Sequence, residues 1–228
     1  MAVVVVVLVI ILALSVLPQM WVKRVIDRHS KERSDIPGTG GSFARYILDE
    51  MKLHQVRVEE TELGDHYDPQ DKAVRLNATN MRGRSLSAVV IAAHEVGHAM
   101  QDATGYGPLA ARTKMARQAQ RIQTIGYVVM IGAPVMMIVS KSPFLMMAQI
   151  LAGVALLGSI VVMHALTLPV EFDASFRRAL PVLEAGRFFG EADMKSARRI
   201  LWAAALTYVA AALMSLLNIA RWIRVLRF

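Results

Sequence analysis

Cysteine is absent from the 228 residues, which excludes a disulfide framework and any thiolate metal site, so a transition metal could be held only by histidine and carboxylates. Aromatic residues are sparse, at 7%. Although the net charge is +8, the basic residues lie in segments flanking apolar runs, without aromatic interleaving or a recognition motif, and no nucleic-acid partner is expected. No basic residue precedes the apolar run Ala2–Leu17, whereas Lys23, Arg24, Arg28, Lys31 and Arg33 follow it. A secretory leader has the opposite arrangement, so this run is expected to be an uncleaved anchor with its N-terminus outside.

Apolar residues are what the chain has in excess, 55% of the total. Four stretches stand out: Ala2–Met20, Ile125–Val139, Phe144–Leu168 and Ile200–Ile219. Their lengths predict a mainly α, integral membrane protein with several spans, embedded in a plasma membrane and in contact with the lipid bilayer. The expected organisation is an N-terminal transmembrane anchor over 1–21 and a catalytic region over 22–124. A transmembrane helical hairpin over 125–168, a segment with further site residues over 169–199 and a C-terminal transmembrane or interfacial helix over 200–228 complete it. Positive charge after the anchor and after the hairpin puts the catalytic region on the cytoplasmic side. Arg221, Arg224 and Arg227 resist this scheme, because four spans would leave them outside.

Within the polar region, Ile36 to Gly41 reads as a loop leading into an amphipathic helix from about Ser42 to Lys52, with Phe43, Tyr46, Ile47 and Met51 on one face. Val56–Val58 and Ala73–Leu76 read as short strands of a small β element, with a turn at Asp68-Pro69. Ser85 to Gln101 reads as one helix, and it contains His94-Glu95-Val96-Gly97-His98. On a helix, positions i and i+4 share a face, so the two imidazoles can converge on one Zn²⁺ while Glu95 projects beside it as a general base for an attacking water. An accidental polar stripe is the rival reading, but burying two histidines and a glutamate in so apolar a helix is costly unless something satisfies them.

A catalytic zinc takes three protein ligands. If Ile125–Val139 and Phe144–Leu168 are true spans, the chain returns to the side of the membrane that carries the histidines, where it reads Leu168-Pro169-Val170-Glu171-Phe172-Asp173-Ala174-Ser175. Glu171 is then a candidate third ligand, with Asp173 beside it. Equally, the two acids could cap the following helix, where carboxylates favour the dipole.

Three motifs in order, Leu63-Gly64-Asp65-His66-Tyr67-Asp68-Pro69, the run Ala92–Gln101 and Leu168–Ser175, resemble the YugP-like membrane zinc metallopeptidases of bacteria, glutamate-zincins with an organisation similar to the HtpX-like membrane peptidases. The resemblance covers nearly the whole chain. It implies a zincin-like catalytic region, one Zn²⁺ on His94, His98 and Glu171, Glu95 as the base, and peptide-bond hydrolysis. Where the wider pattern has an aspartate four residues after the ligand glutamate, this chain has Ser175. Asp173 could then support the ligands from behind.

The expected substrates are unfolded or membrane-associated polypeptides, pairing in extended form with the strand around Val74. His66 and Tyr67 are candidate donors to the oxyanion, or simply a loop histidine and a packing tyrosine. Tyr106, Arg177 and Arg178 are further donor candidates. His164 is either functional or hydrogen-bonded to a neighbouring helix, and Asn77 and Asn80 read as caps or turn residues. Two rivals to the endopeptidase remain: an intramembrane site-2-type zinc protease, and a non-catalytic zinc-binding membrane scaffold.

Overall fold

The computed structural model describes residues 2–36 and 38–225. Its elements run α1 (Ala2–Arg28), α2 (Gly40–Glu50), β1 (Arg57–Glu60), β2 (His66–Asp68), β3 (Ala73–Leu76), α3 (Ala78–Arg82) and α4 (Leu86–Ala103). They continue through α5 (Gly107–Ser140), α6 (Pro143–Phe172), a π-helix (Asp173–Ala179), α7 (Leu180–Ala185) and α8 (Glu191–Val225). Two compact units result. One gathers Gln19–Ala110 with Leu168–Thr207; the other gathers Met1–Pro18, Ala111–Thr167 and Tyr208–Phe228.

The first unit has α4 in its core. Ser85 caps this helix, its side chain accepting the Ala88 N–H, a contact worth about 1 kcal/mol. Its Ala- and Val-rich sequence leaves room for neighbours on every side, and Ile47 and Leu48 of α2, Val74 and Leu76 of β3, Leu183 of α7 and Ile200 and Leu201 of α8 complete the core. The glycine pair expected in a turn instead opens α2. A Cβ on Gly40 would stand 2.3 Å from the Asn80 carbonyl oxygen and 2.7 Å from that of Ala88, so the pair is needed for close helix crossing. The buried face of α2 is Phe43, Ala44, Ile47 and Leu48, whereas Tyr46 and Met51 are exposed.

The sheet has the order β1-β3-β2, with β1 parallel and β2 antiparallel to β3. Val74 therefore lies in the central strand, paired with Val58 on one side and Tyr67 on the other. It offers no open edge, and the expected substrate pairing there is corrected. Arg75 holds the sheet's polar side, bonded to Glu59, Asp68 and Asp71. Asn77 caps α3, and its amide and backbone N–H together with the Asn80 amide donate to Asp65. Burial pushes the Asp65 carboxyl up, and these three donors pull against it.

In the second unit, α5 and α6 form a helical hairpin, joined at Lys141 and Ser142 with Lys141 at φ 50°. Gly153 admits Met130, whose Sδ would lie 2.4 Å from a Cβ there, and Gln149 Nε2 donates to the Val129 carbonyl at 2.8 Å.

Among the described residues no helix is long and apolar enough to cross a membrane. This corrects the multi-span integral membrane fold, the placement in a plasma membrane with a cytoplasmic site, and the rival with the zinc motif inside a span. Crossing takes about 20 consecutive, predominantly apolar residues, and polar groups punctuate these helices. Arg112, Lys114 and Arg121 occupy the first half of α5, and Glu191, Asp193, Lys195, Arg198 and Arg199 open α8. Gln149, Ser159, His164 and Thr167 interrupt α6. Pro37 and Arg227 lie outside the described residues, as do the side chains of residues 1–12 and of Arg221 and Arg224. What stands is a mainly helical protein with a small sheet.

Candidate metal centre

The site is assembled from α4, the end of α6 and the π-helix. His94, Glu95 and His98 are buried on α4 at 4%, 6% and 4% exposure, and their potential ligand atoms lie within 4.8 Å of one another. Against them comes Glu171 from the last turn of α6, 1% exposed, its Oε2 at 3.2 Å from His94 Nε2 and 3.3 Å from His98 Nε2.

This approach depends on Gly97. A Cβ at that position would meet the Ala174 carbonyl oxygen at 2.6 Å, so the glycine within the motif is what lets the π-helix lie against α4. The wide turn of the π-helix keeps Asp173, Ala174 and Ser175 all buried. Such turns often occur at functional sites.

Hydrogen bonds behind the ligands fix their proton positions. Gln101 Nε2 donates to the Val170 carbonyl and to Asp173 Oδ2, both at 2.8 Å. Both partners are acceptors, so the amide orientation is set and Gln101 Oε1 faces His98 Nδ1 at 2.9 Å. His98 Nδ1 must therefore carry the hydrogen, leaving the Nε2 lone pair directed at Glu171. The same logic holds for His94. Ser175 Oγ donates to the Leu201 carbonyl and accepts from His94 Nδ1 at 2.9 Å.

Two imidazole lone pairs thus face one carboxylate oxygen in a buried place, an arrangement that repels itself unless a cation lies between. The spacing fits zinc. Two ligand atoms at about 2.0–2.1 Å from a tetrahedral Zn²⁺ stand roughly 3.3 Å apart, which matches the 3.2 and 3.3 Å observed.

Residues 4–227 match the family model described as putative neutral zinc metallopeptidase. The chain belongs to this zinc metallopeptidase family. A relative from Bacillus subtilis (strain 168), named "Putative membrane protease YugP", is 37% identical over 216 residues, covering 94% of this chain and 92% of that protein. No solved structure matches. As a member of a zinc metallopeptidase family with a buried His–Glu–His cluster, the protein has zinc as its cofactor, one ion per chain, and peptides as its substrate class.

The remaining candidates are placed as follows. Asp173 Oδ2 accepts from Arg178 Nε at 2.8 Å as well as from Gln101. Burial favours its neutral form, but these two donors and the charges of Arg178 and Arg177 outweigh that and hold the carboxyl below the usual range. Tyr67 donates to Asp102 Oδ2 at 2.6 Å, and Lys72 pairs with the same oxygen. Burial and that bond raise the phenol well above its ordinary range. His66 has Nδ1 on the Gly64 carbonyl at 2.8 Å. In this arrangement the Tyr67 hydroxyl is committed to Asp102, four residues after His98 on α4. Gln101 and Ser175, which orient the two imidazoles, close the runs Ala92–Gln101 and Leu168–Ser175, but the sequence reading gave neither of them this role. The signal that could have found them is spacing, since Gln101 follows His98 by three positions and Ser175 follows Glu171 by four.

Proposed function

We propose that the protein is a zinc-dependent endopeptidase in which His94, His98 and Glu171 hold the ion and Glu95 is the general base. The observation that carries this reading is the pair of oriented imidazoles facing the Glu171 carboxylate. Zinc, when bound, supplies Lewis acidity for the peptide carbonyl and lowers the pKa of water. Glu95, next to His94 on the same helix and 6% exposed, removes a proton from the attacking water as its oxygen bonds to the carbonyl carbon. The same carboxyl then gives that proton to the amide nitrogen as the C–N bond breaks, so that one new carboxyl and one new amine result. Asp173 and Gln101 hold His98 in place, and Ser175 holds His94; such support behind ligands typically changes metal affinity or activity by about 10- to 100-fold.

The test is metal analysis together with casein cleavage for wild type, Glu95→Gln and Glu171→Ala. Zinc retained without cleavage in the first variant, and both lost in the second, is the expected pattern. A wild type that holds stoichiometric zinc but cleaves neither casein nor any peptide in a library would replace the enzyme with a zinc-holding scaffold.

A further inference from the structure

The π-helix makes an ion pair that an α-helix would not. Asp173 and Arg178 are five positions apart, and Arg178 Nε donates to Asp173 Oδ2 at 2.8 Å. In an α-helix of about 3.6 residues per turn, side chains three or four positions apart meet, and those five apart face different ways. The i→i+5 bonding of Asp173–Ala179 brings the fifth residue round instead. An α-helical path would offer Arg177 to Asp173; in this fold Arg177 is exposed.

Arg178 is held from its other side as well. Helix α4 ends in a turn where Gly105, at φ 64°, lets the Gly105 and Tyr106 N–H groups bond back to the Asp102 and Gln101 carbonyls at 3.0 and 2.9 Å, a common way to stop a helix. Tyr106 is thereby placed against Arg178, whose guanidinium carbon lies 5.7 Å from the ring centroid. A closed circuit results, in which Tyr106 returns to Gln101, Gln101 Nε2 donates to Asp173 Oδ2, and the same oxygen takes Arg178. The circuit has one outlet to the metal centre, because Gln101 Oε1 faces His98 Nδ1 at 2.9 Å.

Each link constrains the next. Gln101 is fully buried and Asp173 is 7% exposed, so water is not at hand to replace either partner. Without Arg178 the buried carboxylate loses a charged donor, and turning towards water to recover one takes it off Gln101. The amide then keeps the Val170 carbonyl but is no longer pinned from two sides, and the acceptor behind His98 loosens. We infer that Arg178 is a positioning residue for the metal centre: it fixes the His98 imidazole through Asp173 and Gln101, and the π-helix gives this role to Arg178 rather than to Arg177. The inference rests on the reading of His98 as a zinc ligand.

The experiment measures the zinc affinity of the full chain by chelator competition, at a temperature where circular dichroism shows every variant folded. Arg178→Gln should weaken zinc binding by about tenfold or more, and Arg177→Gln should leave it unchanged. Because a lost ion pair could also act by loosening the fold, the double variant Asp173→Asn/Arg178→Gln is compared with each single one. If Arg178 acts through Asp173, the double variant binds zinc no more weakly than Arg178→Gln alone, whereas independent losses would add. Unchanged affinity in Arg178→Gln, equal losses in the two arginine variants, or additive losses overturn the inference. His98→Ala and casein cleavage keep the readings apart. If His98→Ala retains wild-type affinity, the ligand assignment falls and takes the positioning role with it. If wild type shows the arginine pattern in zinc affinity yet cleaves nothing, the peptidase reading falls and Arg178 keeps its role.

Discussion

Helix α4 and the hairpin of α5 and α6 are built from similar letters and lie in opposite surroundings. Fifteen of the 18 residues of α4 are buried, including three titratable ones, whereas large apolar side chains of the hairpin such as Ile125, Ile138 and Phe144 are 53%, 71% and 79% exposed. In α4 the side chains are mostly small, so other elements come close, and the polar ones are covered because each imidazole has a partner at both nitrogens. The hairpin has bulk without that cover. Hydropathy registers the residue but not what stands beside it, and the hairpin is where reading spans from apolar runs failed.

The sharpest break in the comparison comes from removing charge from the buried helix and its partner. Glu95→Gln should keep zinc by metal analysis and lose casein cleavage by about 10²-fold or more. Glu171→Ala should lose both, since the two imidazoles then face no third donor. Near-wild-type cleavage by Glu95→Gln, or full zinc in Glu171→Ala, would undo the assignment. Next in size, Gln101→Leu and Ser175→Ala should each weaken zinc binding by about 10- to 100-fold in a chelator competition, with the fold intact by circular dichroism. Unchanged affinity in both would mean that the imidazoles hold their orientation unaided.

Glycine gives a comparison in stability. Gly97→Ala should destabilise the protein by about 1–3 kcal/mol, because a Cβ there strikes the Ala174 carbonyl oxygen at 2.6 Å. Gly158 in α6 meets nothing within 4 Å, so Gly158→Ala should stabilise by about 0.5–1 kcal/mol. Opposite signs of ΔTm are expected; equal signs would contradict the difference in packing.

The helix bearing the zinc motif was legible in the sequence almost to the residue, since Ser85 is a cap and the Ala-rich run that follows has no breaker. Ala73–Leu76 was legible for the same reason, a short β-prone run. β2 was not, because His66-Tyr67-Asp68 has no apolar alternation and becomes a strand only by pairing with β3. On α2 the buried face was misread at Tyr46 and Met51, since periodicity fixes a stripe but not which neighbouring residues border it. The shared face of His94 and His98 was legible from the motif, whereas the residues alone left Glu171 even with a helix-capping role and only the family resemblance brought it forward; its carboxylate lies 3.2 and 3.3 Å from the two imidazoles. Gln101 and Ser175 were not legible in this way, because an amide or a hydroxyl acquires its role only from the group that three-dimensional packing brings against it.

The smallest expected effect concerns Asp173. Burial favours the neutral form of its carboxyl, but Arg178 and Gln101 outweigh that and hold it below the ordinary aspartate value. A depressed carboxylate contributes stability that is fully present above its unfolded value and is lost as pH falls through its folded value. With metal removed by chelation, wild type should exceed Asp173→Asn by about 1 kcal/mol, constant from neutrality to about pH 5. The gap should start to close near 3.8 and vanish in stronger acid. A gap that widens below pH 4 would show that the Arg178 pair does not carry it.

The π-helix from Asp173 to Ala179 holds one residue more than an α-helical path between the same ends would need. Deleting a single residue there would let the backbone close into the more favourable α form between the same ends, and the side chains within the turn would change the faces they present. Glu171 and Ser175 would then no longer present themselves to α4 together. Over this one turn, a shorter chain would fold more readily and hold its metal worse.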